Sequence, residues 1–311
     1  MADRRFRFIA GGLDMTTPRL WSEAARGVES LGYSALAVND HLDPHGPALD
    51  PMLALAAAAE ATSTLRLGTM MLNAGLRHPA QIAREAATLD VLSGGRVELG
   101  LGAGNYETDY RALGRALEPA AARIERLGEA VRIIKGLWAE EPFSHAGRHY
   151  SVDGLEGRPR PVQRPRPPLV LGGGGRRMLT LAAREADIVS LAGGTSAADL
   201  GEERLAERVA WIREAAGERF EDIELQMLLP ITIVTADRLA AAQALFDSAG
   251  PSLGFSSAEE ILAAPHIAIG TGDEIAGRLV AIRDAHSISC FAVWGPSVGP
   301  FAEVVLALSG T

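Results

Sequence analysis

Residues 67–105 read LGTMMLNAGLRHPAQIAREAATLDVLSGGRVELGLGAGN, and this stretch decides the fold. Leu67–Leu72 is short, apolar and uncharged, as a strand buried on both faces must be. Arg77-His78-Pro79 ends a turn, and Ala80–Leu92 carries helical spacing. Ser93-Gly94-Gly95-Arg96 is a tight turn into a second strand, Val97–Gly102. Two buried strands joined by a helix form a βαβ unit, which implies a parallel sheet and a right-handed crossover. Such sheets carry their chemistry in the loops beyond the strands' carboxyl ends. Both of those loops are built here from small residues, where backbone can approach a flat, phosphorylated ligand.

The same pattern extends in both directions. Strand-like runs occur at Phe6–Gly11, Ala35–Asn39, Leu67–Leu72, Val97–Gly102, Leu169–Gly172, Asp187–Leu191, Gln226–Val234 and Ser289–Trp294. Helical patterns separate them. Pro18–Leu31 and the stripe Ile124, Leu127, Val131, Ile134, Trp138 each present one apolar face. Met52–Thr62 opens after Asp50-Pro51, an N-cap followed by proline at the first helical position. Eight strands alternating with helices argue for a (β/α)8 TIM barrel, and 311 residues suit one such domain. An open doubly wound sheet is the competing arrangement. Two intervals exceed the βα period. One, residues 139–168, holds Arg158-Pro159-Arg160-Pro161 and Arg164-Pro165-Arg166-Pro167-Pro168, whose prolines stiffen a strap or a solvated connector between strands four and five. The other, residues 235–268, adds two helical patterns after strand seven.

Composition narrows the class. A net charge of −9 with no compensating basic face argues against a nucleic-acid partner. The single cysteine, Cys290, excludes an internal disulfide framework and sits in the apolar run Ile288–Trp294, as a buried structural thiol would. No apolar run approaches the ~20 residues of a membrane span, and no signal-peptide core follows the first residues, so a cytoplasmic protein is expected. No metal site is expected, since the histidines are scattered and His41 and His45 are not one helical turn apart. A G-x-S-x-G nucleophile elbow is absent.

Three segments carry candidate chemistry. Asn39-Asp40-His41 follows strand two, where a barrel places active-site groups, and an imidazole there can exchange a proton near neutrality. Because neighbouring strand residues face opposite ways, Asp40 caps a loop if His41 does the chemistry. A plain polar turn is the alternative. Gly100-Leu101-Gly102-Ala103-Gly104-Asn105, with Glu98 before it, leaves strand four and also matches the glycine turn of a methyltransferase. In a methyltransferase that turn would follow the domain's first strand, whereas three strand–helix units precede it here. Leu171-Gly172-Gly173-Gly174-Gly175-Arg176-Arg177 runs from strand five into a helix, a setting that favours a phosphate. It is neither a dinucleotide fingerprint nor a P-loop.

Taken in order, these pieces resemble the luciferase-like flavin and deazaflavin oxidoreductases, specifically the branch that uses coenzyme F420. The resemblance rests on Leu31-Gly32-Tyr33, Asn39-Asp40-His41, Leu67–Met71, Arg77-His78-Pro79, Leu92–Arg96, Val97–Asn105, Pro168–Leu179, Leu181–Asp187 and Gly270–Ile275. It implies a barrel with an insertion, a homodimer, a small-molecule substrate, and a tricyclic ring held in the barrel mouth. The expected cofactor is coenzyme F420, with FMN and monooxygenase chemistry as the alternative. His41, with Asp40, is expected to be catalytic. Met70, Met71 and Asn73 at the strand-three exit, across a cis Met70–Met71 peptide, would support the ring. Gly102, Ala103, Gly104 and Asn105 would line it, and Gly173, Gly174, Gly175 and Arg176 would take the phosphate. Sugar-phosphate dehydrogenases of this branch carry glutamate where this chain has Asn105 and tryptophan where it has His45. Remoter readings are an S-adenosylmethionine-dependent methyltransferase and a non-catalytic cofactor carrier.

Overall fold

The structure is a computed structural model that describes residues 4–13, 17–42, 49–139, 141–194 and 196–311. In chain order its first half runs β1 (Arg7–Gly11), α1 (Pro18–Ser30), β2 (Ala35–Val38), α2 (Pro51–Ala61), β3 (Arg66–Thr69), β4 (Leu72–Asn73), α3 (Pro79–Leu92), β5 (Val97–Gly102), α4 (Glu107–Ala112) and α5 (Ala120–Trp138). Next come β6 (Phe143–Ala146), β7 (Ser151–Leu155), β8 (Leu169–Gly173), α6 (Arg176–Glu185), β9 (Ile188–Leu191), α7 (Ala197–Leu200) and α8 (Glu202–Ala216). The remainder is β10 (Glu224–Leu229), β11 (Ile231–Val234), α9 (Arg238–Leu253), α10 (Ala258–Ala263), β12 (Ile267–Gly270), α11 (Gly272–His286), β13 (Ile288–Trp294) and α12 (Ala302–Leu308). With β3 and β4 counted as one interrupted strand, the main sheet is that of a (β/α)8 barrel.

The chain divides into two compact units. One comprises Met1–Leu13, Gly27–Ala35 and Gly173–Thr311. Within it β9, β10, β13 and β1 pair in parallel, with Phe8 beside Phe291 in register. The rings of Phe8, Phe291 and Phe301 pack together, all fully buried, as alternating apolar strand residues dictate. Cys290 is fully buried, as its apolar setting indicates. The expected seventh strand, Gln226–Val234, is in fact two. Pro230 offers no N–H to a ladder, so β10 ends at Leu229 and β11 leaves to pair in parallel with β12. The second sheet and the two extra helices, α9 and α10, bury their own cluster around Phe255, Ile261 and Ile267.

The other unit comprises Asp14–Arg26 and Leu36–Gly172. Here β5 pairs in parallel with β3, β4 and β8. The helix α2 starts as expected: Asp50 Oδ1 accepts the N–H groups of Met52 (3.0 Å) and Leu53 (3.1 Å), with Pro51 at the first position. His78 caps α3 by accepting the Ala80 N–H at 3.2 Å. The strap is more ordered than its prolines alone indicate. It opens with the antiparallel hairpin β6–β7, and its proline-rich part is held by the buried Asp90 carboxylate. Asp90 accepts the N–H groups of Val162 (2.8 Å) and Gln163 (3.0 Å) and the Gln163 side-chain amide (2.6 Å). Among the described residues no helix is long and apolar enough to cross a membrane.

Candidate active site

The exits of β2, β4 and β5 lie within one unit, and their residues meet. After Val38 the chain leaves the sheet, so Asp40 and His41 are freed from strand alternation. Asp40 turns inward and is buried. It accepts the Asn73 N–H at 2.9 Å and forms a two-pronged ion pair with Arg77. His41 is partly exposed, and its ring meets the exposed Tyr106 edge-on at 4.4 Å between centroids. Its Nδ1 lies 3.1 Å from Asp109 Oδ2, and Asp109 Oδ1 accepts the Leu42 N–H at 2.9 Å. His45 falls at 43–48, outside the described residues.

The strand-three exit contains the cis peptide Met70–Met71, at the position the sequence resemblance indicates. It divides β3 from β4, and Met70 N–H donates to Val38 O at 2.8 Å. The glycines of β5 are shaped by this bulge. A Cβ on Gly100 would lie 1.9 Å from Thr69 O, and one on Gly102 would lie 3.2 Å from the Met71 Cβ. Gly104, at φ +73°, lies against Asn73 and Tyr110; its Cβ would fall 2.4 Å from the Tyr110 hydroxyl. Asn73 is buried, and its Oδ1 accepts the Gly75 N–H (3.0 Å) and the Tyr110 hydroxyl (3.2 Å). Asn105 is exposed beside Tyr106. The glycines therefore do two things at once: they admit the bulge and keep the β5 exit free of side chains.

The third segment lies in the other unit. Gly173 to Gly175 lead into α6, whose first turn has no side-chain cap, and nothing lies within 4 Å of a Cβ on Gly175. That leaves backbone N–H groups for an anion. Arg176 is turned onto Glu214, Nη2 to Oε2 at 2.8 Å, both exposed. The loop is fastened by the buried Arg208, whose guanidinium donates to Gly174 O (3.1 Å), Ala192 O (3.0 Å) and Asp199 O (2.9 Å). Burial lowers the Arg208 pKa, and Asp199 opposes that shift.

Asp109, Tyr106, Tyr110, Arg77 and Arg208 were not marked as site residues by sequence reasoning. The available signal for the first three was the run Tyr106-Glu107-Thr108-Asp109-Tyr110 directly after the glycine exit. Glu98, weighed as part of a methyltransferase turn, is buried and paired with Arg66. No group of histidine, cysteine and carboxylate side chains able to hold a metal occurs among the described residues.

A family profile described as luciferase-like monooxygenase matches residues 7–278. The chain belongs to the luciferase-like monooxygenase family. An F420-dependent glucose-6-phosphate dehydrogenase from Microbacterium testaceum is 36% identical over 166 residues, 51% of this chain and 48% of that protein. The match thus spans about half of that relative's length. Among solved structures, an F420-dependent secondary alcohol dehydrogenase in complex with an F420-acetone adduct superposes with a TM-score of 0.76 at 21% identity, covering 98% of both chains. A riboflavin lyase with modified FMN and riboflavin superposes with a TM-score of 0.78 at 19% identity, covering 98% of this chain and 91% of that one. These likenesses establish the luciferase-like (β/α)8 barrel, and the family is one of oxidoreductases.

Proposed function

We propose that this luciferase-like protein is a coenzyme F420-dependent oxidoreductase that transfers a hydride between C5 of the deazaflavin and a small organic substrate. The observation that carries the reading is the meeting of His41 with Tyr106 and Asp109, just past the glycine-lined β5 exit, in a chain whose relatives include F420-dependent dehydrogenases. When bound, the deazaflavin supplies a two-electron hydride acceptor or donor. Met70, Met71 and Asn73 are assigned to its ring face, Gly102, Ala103, Gly104 and Asn105 to its flank, and Gly173 to Gly175 to its phosphate. Arg176, occupied by Glu214, contributes charge to that phosphate only if the exposed pair opens.

His41 exchanges the proton that accompanies the hydride. Asp40 holds the β2 and β4 exits together through Arg77 and the Asn73 N–H, which is a positioning task. Asn105 is an amide, so the carboxylic acid that sugar-phosphate dehydrogenases of this branch place there is missing. The substrate is accordingly assigned to another class of small molecule. A homodimer is expected, as in the family.

FMN is the second reading, favoured by the likeness to an FMN-containing enzyme. Fluorescence-quench titration with coenzyme F420 and, separately, with FMN decides between them. Micromolar or tighter binding of F420 alone supports the proposal, preference for FMN supports monooxygenase chemistry, and binding of neither overturns both.

A further inference from the structure

Asp109 stands four residues beyond Asn105, in the first turn of α4. Its side chain is 2% exposed, and both carboxylate oxygens are engaged by the segment that bears His41. One oxygen takes the Leu42 N–H at 2.9 Å, which fixes the backbone next to the histidine. The other lies 3.1 Å from His41 Nδ1. We propose that Asp109 is a positioning residue that holds neutral His41 as the Nδ1–H tautomer and leaves Nε2 bare toward the substrate. The proposal rests on His41 being the proton-exchanging group named above.

The geometry supports this in three steps. A carboxylate can only accept, so the hydrogen of this contact sits on Nδ1. In a neutral imidazole the other nitrogen is then an acceptor, and Nε2 has no hydrogen-bond partner among the described residues. Ring rotation is limited by the edge-on Tyr106 and by the Leu42 anchor on the same carboxylate. With the deazaflavin bound, a substrate carbon bearing a hydroxyl would give up its hydride to that cofactor. The hydroxyl proton passes to Nε2, and a carbonyl remains. The resulting imidazolium faces the Asp109 carboxylate. Reduction of a carbonyl runs the same transfers backwards. Asp109 thus supplies, through the histidine, a carboxylate that Asn105 does not offer to the site.

The test is the Asp109→Asn variant, which keeps shape while changing what His41 faces. With the amide oxygen on the Leu42 N–H, the amide nitrogen faces Nδ1 and forces the hydrogen onto Nε2. Ring-nitrogen NMR of histidine-labelled protein, without any cofactor, reads the tautomer directly. We expect Nδ1–H in the native chain and Nε2–H in the variant. Turnover should fall at least ~100-fold while KM and F420 affinity stay within about twofold, the pattern of an orienting carboxylate behind a catalytic histidine. Asp109→Glu should recover part of the loss. Nε2–H in the native chain overturns the proposal. So does an unchanged tautomer in the variant, or a turnover loss no larger than the loss of folded protein. Failure of F420 to bind would count against the functional reading, while the tautomer measurement stands apart from it.

Discussion

Arg77, at the end of the β4–α3 turn, grips Asp40 with both terminal nitrogens, one of them 3.1 Å from Oδ1, and reaches Asp50 Oδ2 at 3.2 Å with the same nitrogen. The contact joins the β2 exit, which carries His41, to the start of α2 and α3. Burial by itself would lower the Arg77 pKa, but hydrogen bonds and charge from Asp40 and then Asp50 raise it overall. Asp40 is nearly inaccessible, so removing its partner leaves a carboxylate in the interior.

Arg77→Met should therefore destabilise the protein by about 3 kcal/mol, measured by urea unfolding. Adding Asp40→Asn should restore a large part, because no unpaired charge is then buried. Equal losses for the single and double variants would show that Asp40 draws little from Arg77.

Gly100→Ala probes the bulge. The added carbon would lie 1.9 Å from Thr69 O and 2.9 Å from the Met71 sulfur, and backbone rather than a flexible tip must yield. The Thr69 hydroxyl donates to Gly100 O at 2.7 Å and accepts its N–H at 3.0 Å, so both bonds are disturbed. A loss of about 2–3 kcal/mol is expected from overpacking, together with weaker F420 binding than any loss of folded protein explains. Native stability and affinity in this variant would show that the strand pair can part without cost.

The sequence revealed the fold more readily than the site. Strand positions followed from short apolar runs between turn residues, and Asp50, Pro51 and His78 announced helix starts through local chemistry. Pro230 was legible as a ladder-breaker, yet the apolar run through it concealed the exit of β11. The link from His41 to Asp109 was not legible, because it spans 68 positions and depends on how two loops fold back. The strap's prolines spoke for stiffness, whereas its anchoring depends on distant Asp90 and Glu129. Arg208 reads as one more helix arginine until the structure places its guanidinium among three carbonyls.

Glu129 on α5 accepts the N–H groups of Arg148 (2.9 Å), His149 (3.1 Å) and Tyr150 (3.1 Å), and so holds the turn of the β6–β7 hairpin. The Tyr150 hydroxyl then reaches Ala74 O at 3.3 Å, just past β4. Burial would raise the Glu129 carboxyl, but the N–H groups of His149 and Arg148, the His145 ring and the Tyr150 N–H outweigh it and hold it below its usual value. A depressed folded pKa gives stability that is complete above the ordinary carboxylate range and lost as pH falls through the depressed value. Amide exchange at Arg148–Tyr150, corrected for its intrinsic pH dependence, should lose protection as pH drops below about 4.5. Glu129→Gln should show reduced protection at every pH and no such step. A step that survives the substitution would assign it to another group.

His266 gives the opposite end of the chain its own pH signature. Its side chain is fully buried, Nδ1 donates to Leu228 O at 3.2 Å, and Nε2 has no partner among the described residues. Burial is the main cause that pushes its pKa down to about 4; Arg208 adds to the fall, while Leu228 O and Asp199 oppose it. Between about 6.5 and about 4 the unfolded chain binds a proton that the folded chain refuses, so stability declines as pH falls across that window. The contribution is complete above 6.5, and its total is about 3 kcal/mol. His266→Asn retains a donor for Leu228 O and removes the titrating ring. Denaturant unfolding at several pH values should therefore show a flatter profile between 6.5 and 4 than the native chain shows. If the two profiles remain parallel, the decline belongs to other groups and His266 takes up its proton without unfolding.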